Sequence, residues 1–134
     1  MFTICLFVNI AFTWCYEIPH WEVLPPKYIG DYSISRYYSV MPGQKRYYVG
    51  RTYEEDEAMN CGGDCLHTAS GHLLTRDDTW KIVACPPEFK MGTKLHIEDV
   101  GDVVCRDRGG AIKKKRLDLW AGIGDEGLDN IYRK

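Results

Sequence analysis

Val103-Val104-Cys105-Arg106-Asp107-Arg108-Gly109-Gly110-Ala111-Ile112 runs, after three lysines, into Arg116-Leu117-Asp118-Leu119-Trp120. Two short apolar runs separated by glycine turn chemistry read as two strands. Each carries an aspartate, a residue that rarely sits in an apolar strand unless it is paired, hydrogen-bonded or used. The two carboxylates are eleven residues apart. A carboxylate pair is the usual equipment for cutting a glycosidic bond, which makes Asp107 and Asp118 the first candidates for a built site.

The same signature repeats outward. Strand-like runs are expected at Ser33–Val40, Lys45–Arg51, Lys81–Cys85, Lys94–Glu98, Val103–Arg106 and Arg116–Trp120. Pro42-Gly43, Gly62-Gly63, Pro86-Pro87, Met91-Gly92, Gly101-Asp102 and Gly109-Gly110 punctuate them as turns. No segment holds a 3.6-residue apolar period for three turns; 54–60 and 125–131 are expected to make one or two helical turns each. Many short strands, glycine turns and little helix predict an all-β domain, a small closed barrel or sandwich.

The chain has 134 residues, enough for one domain with a modest core. Its 17 Lys+Arg against 19 Asp+Glu, a net charge of −2, give no basis for a nucleic-acid partner. Nine tyrosines and four tryptophans are many for this length; aromatic faces stack on sugar rings, although buried aromatics are the commoner use. Six cysteines in a short chain favour an oxidising compartment.

Phe2 to Phe12 is an apolar run of signal-peptide length, too short to span a bilayer. No Lys or Arg precedes it and no small-x-small cleavage site follows, so a degenerate signal peptide over 1–15, a mis-assigned start and a buried strand all fit. Export to the cell envelope or beyond is the favoured reading, with no stable membrane span. Residues 16–32 hold three of the six prolines and read as a linker or surface wrap. The domain proper is expected over 33–134.

The C-terminal half resembles the 3D domain, named for three aspartates. That domain occurs in the catalytic part of membrane-bound lytic transglycosylase A and in small secreted cell-wall proteins. The matching stretches are Thr68-Ala69-Ser70-Gly71, Ile82-Val83-Ala84-Cys85-Pro86, Met91-Gly92-Thr93-Lys94-Leu95, Asp107-Arg108-Gly109-Gly110-Ala111-Ile112-Lys113 and Arg116-Leu117-Asp118-Leu119-Trp120. Ser35-Arg36-Tyr37-Tyr38 looks like the family's first strand. The resemblance implies a six-stranded double-psi β-barrel with short helical turns and an irregular N-terminal extension, more distantly similar to RlpA-type proteins and expansins. One position departs: the family's first aspartate precedes a proline, where this chain has Cys85.

By that resemblance Asp118 is the general acid and base of a lytic transglycosylase, protonating the glycosidic oxygen and then accepting the muramic C6 hydroxyl proton. Its apolar neighbours would raise its pKa. Asp107 is its partner, stabilising oxocarbenium character or tuning Asp118 by like charge; its bland alternative is a turn cap on the Gly109-Gly110 amides. Thr68, Ser70 and Gly71 are candidates to bind sugar hydroxyls or N-acetyl groups, or simply to cap a barrel end. Gly109 and Gly110 would let substrate approach the backbone, or serve a turn that needs positive φ. Lys113 is a candidate for a peptide-stem carboxylate, or part of a solvated loop. Tyr37 and Tyr38 alternate sides on a strand, so at most one faces the cleft; Tyr37 is the candidate.

In a double-psi barrel the strands carrying Cys85 and Cys105 meet, which implies a disulfide between them. Cys61 and Cys65 flank Gly62-Gly63-Asp64 and are expected to bridge locally. Cys5 and Cys15 would leave with a signal peptide or pair with each other. The rival is zinc on Cys61, Cys65, His67 and His72; the oxidising compartment favours the bridge, so no metal and no cofactor are expected. The expected partner is peptidoglycan or a related wall glycan, met by a monomer. Three functions compete: a lytic transglycosylase, an expansin-like module that grips wall polysaccharide without cutting it, and a glycoside hydrolase that would need a further carboxylate base.

Overall fold

The computed structural model describes residues 2–8, 12–18 and 27–134. A two-stranded antiparallel ribbon of β1 (Phe2–Val8) and β2 (Phe12–Ile18) stands at the N-terminus, with Cys5 in register with Cys15. The apolar run read as a signal peptide therefore includes strand β1, and β2 enters the stretch read as a linker. Residues 19–26 of that linker lie outside the described residues.

The remaining elements are β3 (Ser33–Ser39), α1 (Tyr53–Asn60), a 3-10 turn (Arg76–Asp78), β4 (Ile82–Ala84), β5 (Lys94–Ile97), β6 (Gly101–Asp107), β7 (Arg116–Ile123) and α2 (Gly124–Tyr132). Five strands form one mixed sheet in the order β3-β7-β4-β6-β5. β3 runs parallel to β7 and β4 parallel to β6, while β4–β7 and β5–β6 are antiparallel. The fold is predominantly β, as the strand pattern implies, but five strands in open order stand where six in a closed barrel were expected.

The difference lies at 45–51. That segment carries the β-forming run Tyr47-Tyr48-Val49 yet forms turns, because side chains take its backbone donors. Asp125 accepts from the Lys45 amide at 3.0 Å, Asp56 from the Tyr48 amide at 3.1 Å, and the Tyr132 hydroxyl oxygen from the Val49 amide at 3.1 Å. An N–H satisfied by a carboxylate has no need of a strand partner.

Both helices form where turns were expected. Thr52-x-x-Glu55 closes a capping box on α1: Thr52 Oγ1 accepts from the Glu55 amide at 3.3 Å, and Glu55 Oε2 accepts from the Thr52 amide at 2.9 Å. Glu54, Glu55 and Asp56 in its first turn suit the positive end of the helix dipole. Helix α2 lies on β7 through a glycine contact: a Cβ on Gly127 would stand 2.6 Å from the Gly122 backbone. Asn130 fastens the pair by donating to the Ala121 carbonyl at 2.7 Å.

Val83, Cys85, Val103, Cys105, Leu117 and Leu119 form the core between the central strands. Tyr38, Val40, Ala121 and Leu128 form a second cluster under α2, and Trp120, with Leu74 and Ile82, a third. Trp120 is fully buried and its indole N–H donates to Ser39 Oγ at 3.0 Å, so a large aromatic is sealed without an orphaned donor. Among the described residues no helix is long and apolar enough to cross a membrane.

Candidate functional site

Strand register builds the site. Ser35 on β3 pairs with Asp118 on β7, Asp118 pairs with Ala84 on β4, and Ala84 pairs with Asp107 on β6. The four residues form a row across four strands, with the smallest chiral side chain between the two carboxylates. Asp107 reaches that row through a bulge. Val83 pairs with Cys105 but Ala84 with Asp107, so Arg106 is an extra residue on β6. Strict alternation would have put Asp107 on the face of Val103 and Cys105, in the core. The bulge re-aims it to the other face.

Both aspartates line one cleft of about 560 Å³. Asp107 is held by three donors. The Tyr37 hydroxyl donates to Oδ2 at 2.7 Å, and the Ala69 and Arg108 amides donate to Oδ1, each at 2.9 Å. That set fits the carboxylate, an acceptor-only group. Tyr37 is itself pushed well above the usual phenol range, first by burial and then by the Asp107 charge, so it remains a donor.

Asp118 is held by one donor, Ser35 Oγ at 2.7 Å. Burial pushes its carboxyl above the ordinary aspartate value, with the Asp107 charge adding a smaller push; the Ser35 hydrogen bond and the Arg116 charge oppose it. The expected desolvation therefore outweighs two opposing effects. Asp107 and Asp118 thus have unequal surroundings in one cleft, whose lining also includes Asp64.

The other candidates divide. Tyr37 and Tyr38 are both on the cleft lining, but their hydroxyls part: Tyr37 donates to Asp107 and Tyr38 to the buried Asp56. Gly109 and Gly110 line the cleft, and neither has positive φ, so the turn-strain explanation fails for both. A Cβ on Gly109 would stand 2.9 Å from Ile112 Cγ1, whereas at Gly110 it would meet nothing within 4 Å. Thr68 is on the cleft wall, but its Oγ1 accepts from the His72 amide at 3.2 Å and shares a 2.9 Å hydrogen bond with Ser70 Oγ. Ser70 and Gly71 are off the lining and serve that loop, with the Ser70 amide bonded to the Arg106 carbonyl at 3.1 Å. Lys113 is also off the lining and is exposed on the loop before β7.

The Cys85–Cys105 and Cys61–Cys65 bridges are both formed. The second removes two of the four zinc ligands considered. The two imidazoles are committed as well, His67 to Asp64 at 2.9 Å and His72 to Asp78 at 3.1 Å. Among the described residues no group of three metal-ligating side chains converges.

Three participants escaped the sequence reading. Ser35 and Ala84 are visible only through register. Arg108 donates to the carbonyls of Cys85, at 3.2 Å, and Phe89, and so ties the loop after β4 to the strand bearing Asp107.

Residues 81–131 match the 3D domain family. Two curated proteins of Bacillus subtilis (strain 168) are each 34% identical to this chain over 62 residues, 46% of its length: "Putative cell wall shaping protein YabE" and "Cell wall-binding protein YocH". The match covers 15% of the first and 22% of the second. The segment that supplies both cleft aspartates, the Cys85–Cys105 bridge and most of helix α2 is thus the part of the chain that matches the 3D domain family.

Proposed function

We propose that the chain acts on cell-wall glycan outside the cytoplasm as a lytic transglycosylase, with Asp118 as acid and base and Asp107 as its ionised partner. The observation that carries this is the Ser35–Asp118–Ala84–Asp107 row opening on one cleft, with Asp118 pushed toward its protonated form by burial. In the first step Asp118 gives its proton to the glycosidic oxygen as the bond to the anomeric carbon breaks. Asp107 faces the positive charge that develops on the sugar ring. The C6 hydroxyl then attacks the anomeric carbon, and the carboxylate of Asp118 takes its proton, restoring the acid. No water enters the product. Two parallel pairs joined by an antiparallel one support the double-psi arrangement as the scaffold. The relatives' printed names support the cell wall as the place of action.

Incubation with purified sacculi should release 1,6-anhydro-muropeptides, and Asp118→Asn should abolish release without unfolding the protein. No anhydro product at any pH would refute the cleavage step. The second reading, a grip without cleavage, is favoured by Cys85, which stands where the family carries its first aspartate. Sacculus binding that persists in Asp118→Asn, with no product from the parent protein, selects that reading.

A further inference from the structure

Beside the carboxylate cleft lies a second lobe of about 530 Å³, and Asp118, Tyr37 and Arg116 line both. The two lobes share Asp118 on their linings, so a chain-like ligand lying against it would have lining residues of both within reach. The second lobe differs in charge. Arg36, Arg51, Arg116 and Arg133 line it, brought from β3, the loop before α1, the start of β7 and the residue after α2. Asp118 is the single carboxylate on its lining among the described residues.

Four guanidinium groups in one lobe are unusual in a chain of net charge −2. Their partners show how much donor capacity is used. Arg51 pairs with the buried Asp56 at 3.0 Å and lies over the Tyr48 ring at 4.5 Å. Arg36 donates through Nη1 to the carbonyls of Asn130 and Arg133 and stacks on Trp80. Arg116 has a single long contact, 3.5 Å to Ser35 Oγ. None of Arg36, Arg116 and Arg133 has a carboxylate within ion-pair distance among the described residues. Arg133 is an exposed residue of the lining whose side chain makes no hydrogen bond or ion pair among the described residues, and its backbone carbonyl accepts from Arg36. Guanidinium forks match carboxylates in two-point contact, and each charge-assisted bond is stronger than a neutral one.

We propose that this arginine-lined lobe is an anion subsite that receives a carboxylate borne by the glycan strand, with Arg133 and Arg116 as its donors. The anion is best attached to the polymer that crosses Asp118, because Asp118 lines both lobes; carboxylates on the substituents of a wall glycan meet that condition. The inference rests on the wall-glycan reading above and adds which feature of the polymer sets its register. Asp118 then faces a sugar bond at a fixed distance from a charged substituent, and an uncharged polysaccharide lacks the anchor.

The test measures binding of soluble glycan strands from purified sacculi to the Asp118→Asn protein, in which cleavage does not interfere. Three preparations are compared: strands freed of phosphodiester-linked polymers by hydrofluoric acid, the same strands with carboxyls converted to amides, and strands retaining the phosphate polymers. Amidation should weaken binding about tenfold, the effect of losing one charge-assisted pair. Adding Arg133→Gln should weaken binding to the unmodified strands by the same factor, leave binding to amidated strands unchanged, and reduce the salt dependence. The Gln variant keeps the backbone carbonyl that Arg36 uses, and an unchanged melting temperature checks its fold. Equal affinity for native and amidated strands overturns the proposal. So does an Arg133→Gln effect of equal size on both, and so does affinity that follows the phosphate polymer alone. If no preparation binds, the wall-glycan reading fails; if all bind equally, that reading stands and only the anion subsite falls.

Discussion

The Cys85–Cys105 bridge should be the largest single covalent contribution to stability, and its removal should also loosen the carboxylate row. The two cysteines are separated by 20 residues and both are fully buried. The chain-entropy relation gives about 3 kcal/mol for a loop of that size. Replacing both sulfurs by alanine hydrogens leaves a small void in the central core, adding up to about 1 kcal/mol. The Cys85→Ala/Cys105→Ala protein should therefore lose about 3–4 kcal/mol, a large share of the roughly 5–15 kcal/mol a domain has. For a folded body of this size that lowers the melting temperature by about 12–24 °C. Urea unfolding of the oxidised protein and of the variant, without reductant, measures it as a shift in midpoint. Cys61→Ala/Cys65→Ala is the control: it closes a separation of only 4 residues, worth about 2 kcal/mol at most on the same relation. The functional part follows from position. Cys85 adjoins Ala84, and its amide donates to the Asp107 carbonyl at 3.2 Å, so the bridge pins β4 to β6 beside the bulge. A cost under about 1 kcal/mol, or a larger cost for the Cys61–Cys65 pair, would refute the reasoning.

Tyr37→Phe removes one of three donors to Asp107 while keeping the ring. The fold should persist with a loss of about 1 kcal/mol in thermal unfolding, and release of wall fragments should fall tenfold or more. Asp118→Asn should stabilise the protein at neutral pH. Burial raises the Asp118 carboxyl in the folded state, so the native form binds its proton more tightly than the unfolded chain. Ionised Asp118 is then a cost above its folded pKa, relieved as pH falls toward the unfolded value of about 3.9. The variant's advantage in melting temperature should shrink through that window and vanish below it; an advantage that grows with acid would contradict the burial argument. In the same sense, cleavage by the parent protein should decline as pH rises through the Asp118 pKa, because the first step needs the acid form.

Strand positions were legible because alternation and glycine turns are local signals. The expected segments at Lys94–Glu98 and Arg116–Trp120 coincide closely with β5 and with the first five residues of β7. The segment 45–51 misled for a reason that no local pattern carries: its backbone donors are taken by Asp56, Asp125 and Tyr132, the last two 80 residues or more away from the amides they receive. Asp56 was passed over for a related reason. In sequence it is one acid among four in 54–57, as a solvated helix face would be, whereas in the fold it is fully buried. There it accepts from Arg51, Asn60, the Tyr48 amide and the Tyr38 hydroxyl. Asp107 and Asp118 could be found in sequence because apolar neighbours made them conspicuous. Their union in one row could not, since it depends on one extra residue, Arg106, in a ladder whose register only the folded sheet defines.

Register also alters the meaning of Cys85. By the 3D pattern it occupies the place of the first aspartate, which reads as a defect in the site. Yet Val83 and Cys85 belong to the core cluster, and Ala84 between them is the β4 residue that touches the cleft. A carboxylate at this position, with the backbone as it stands, would point toward Cys105, Leu117 and Leu119 and away from the groove. Burying a charge among those side chains is costly. The bridge to Cys105 therefore closes the core at that point and leaves both carboxylates of the cleft face in place. On the proposed reading, what matters in the groove is the inequality between Asp107, clamped by three donors, and Asp118, held by one and half-buried, rather than the number of aspartates the chain retains.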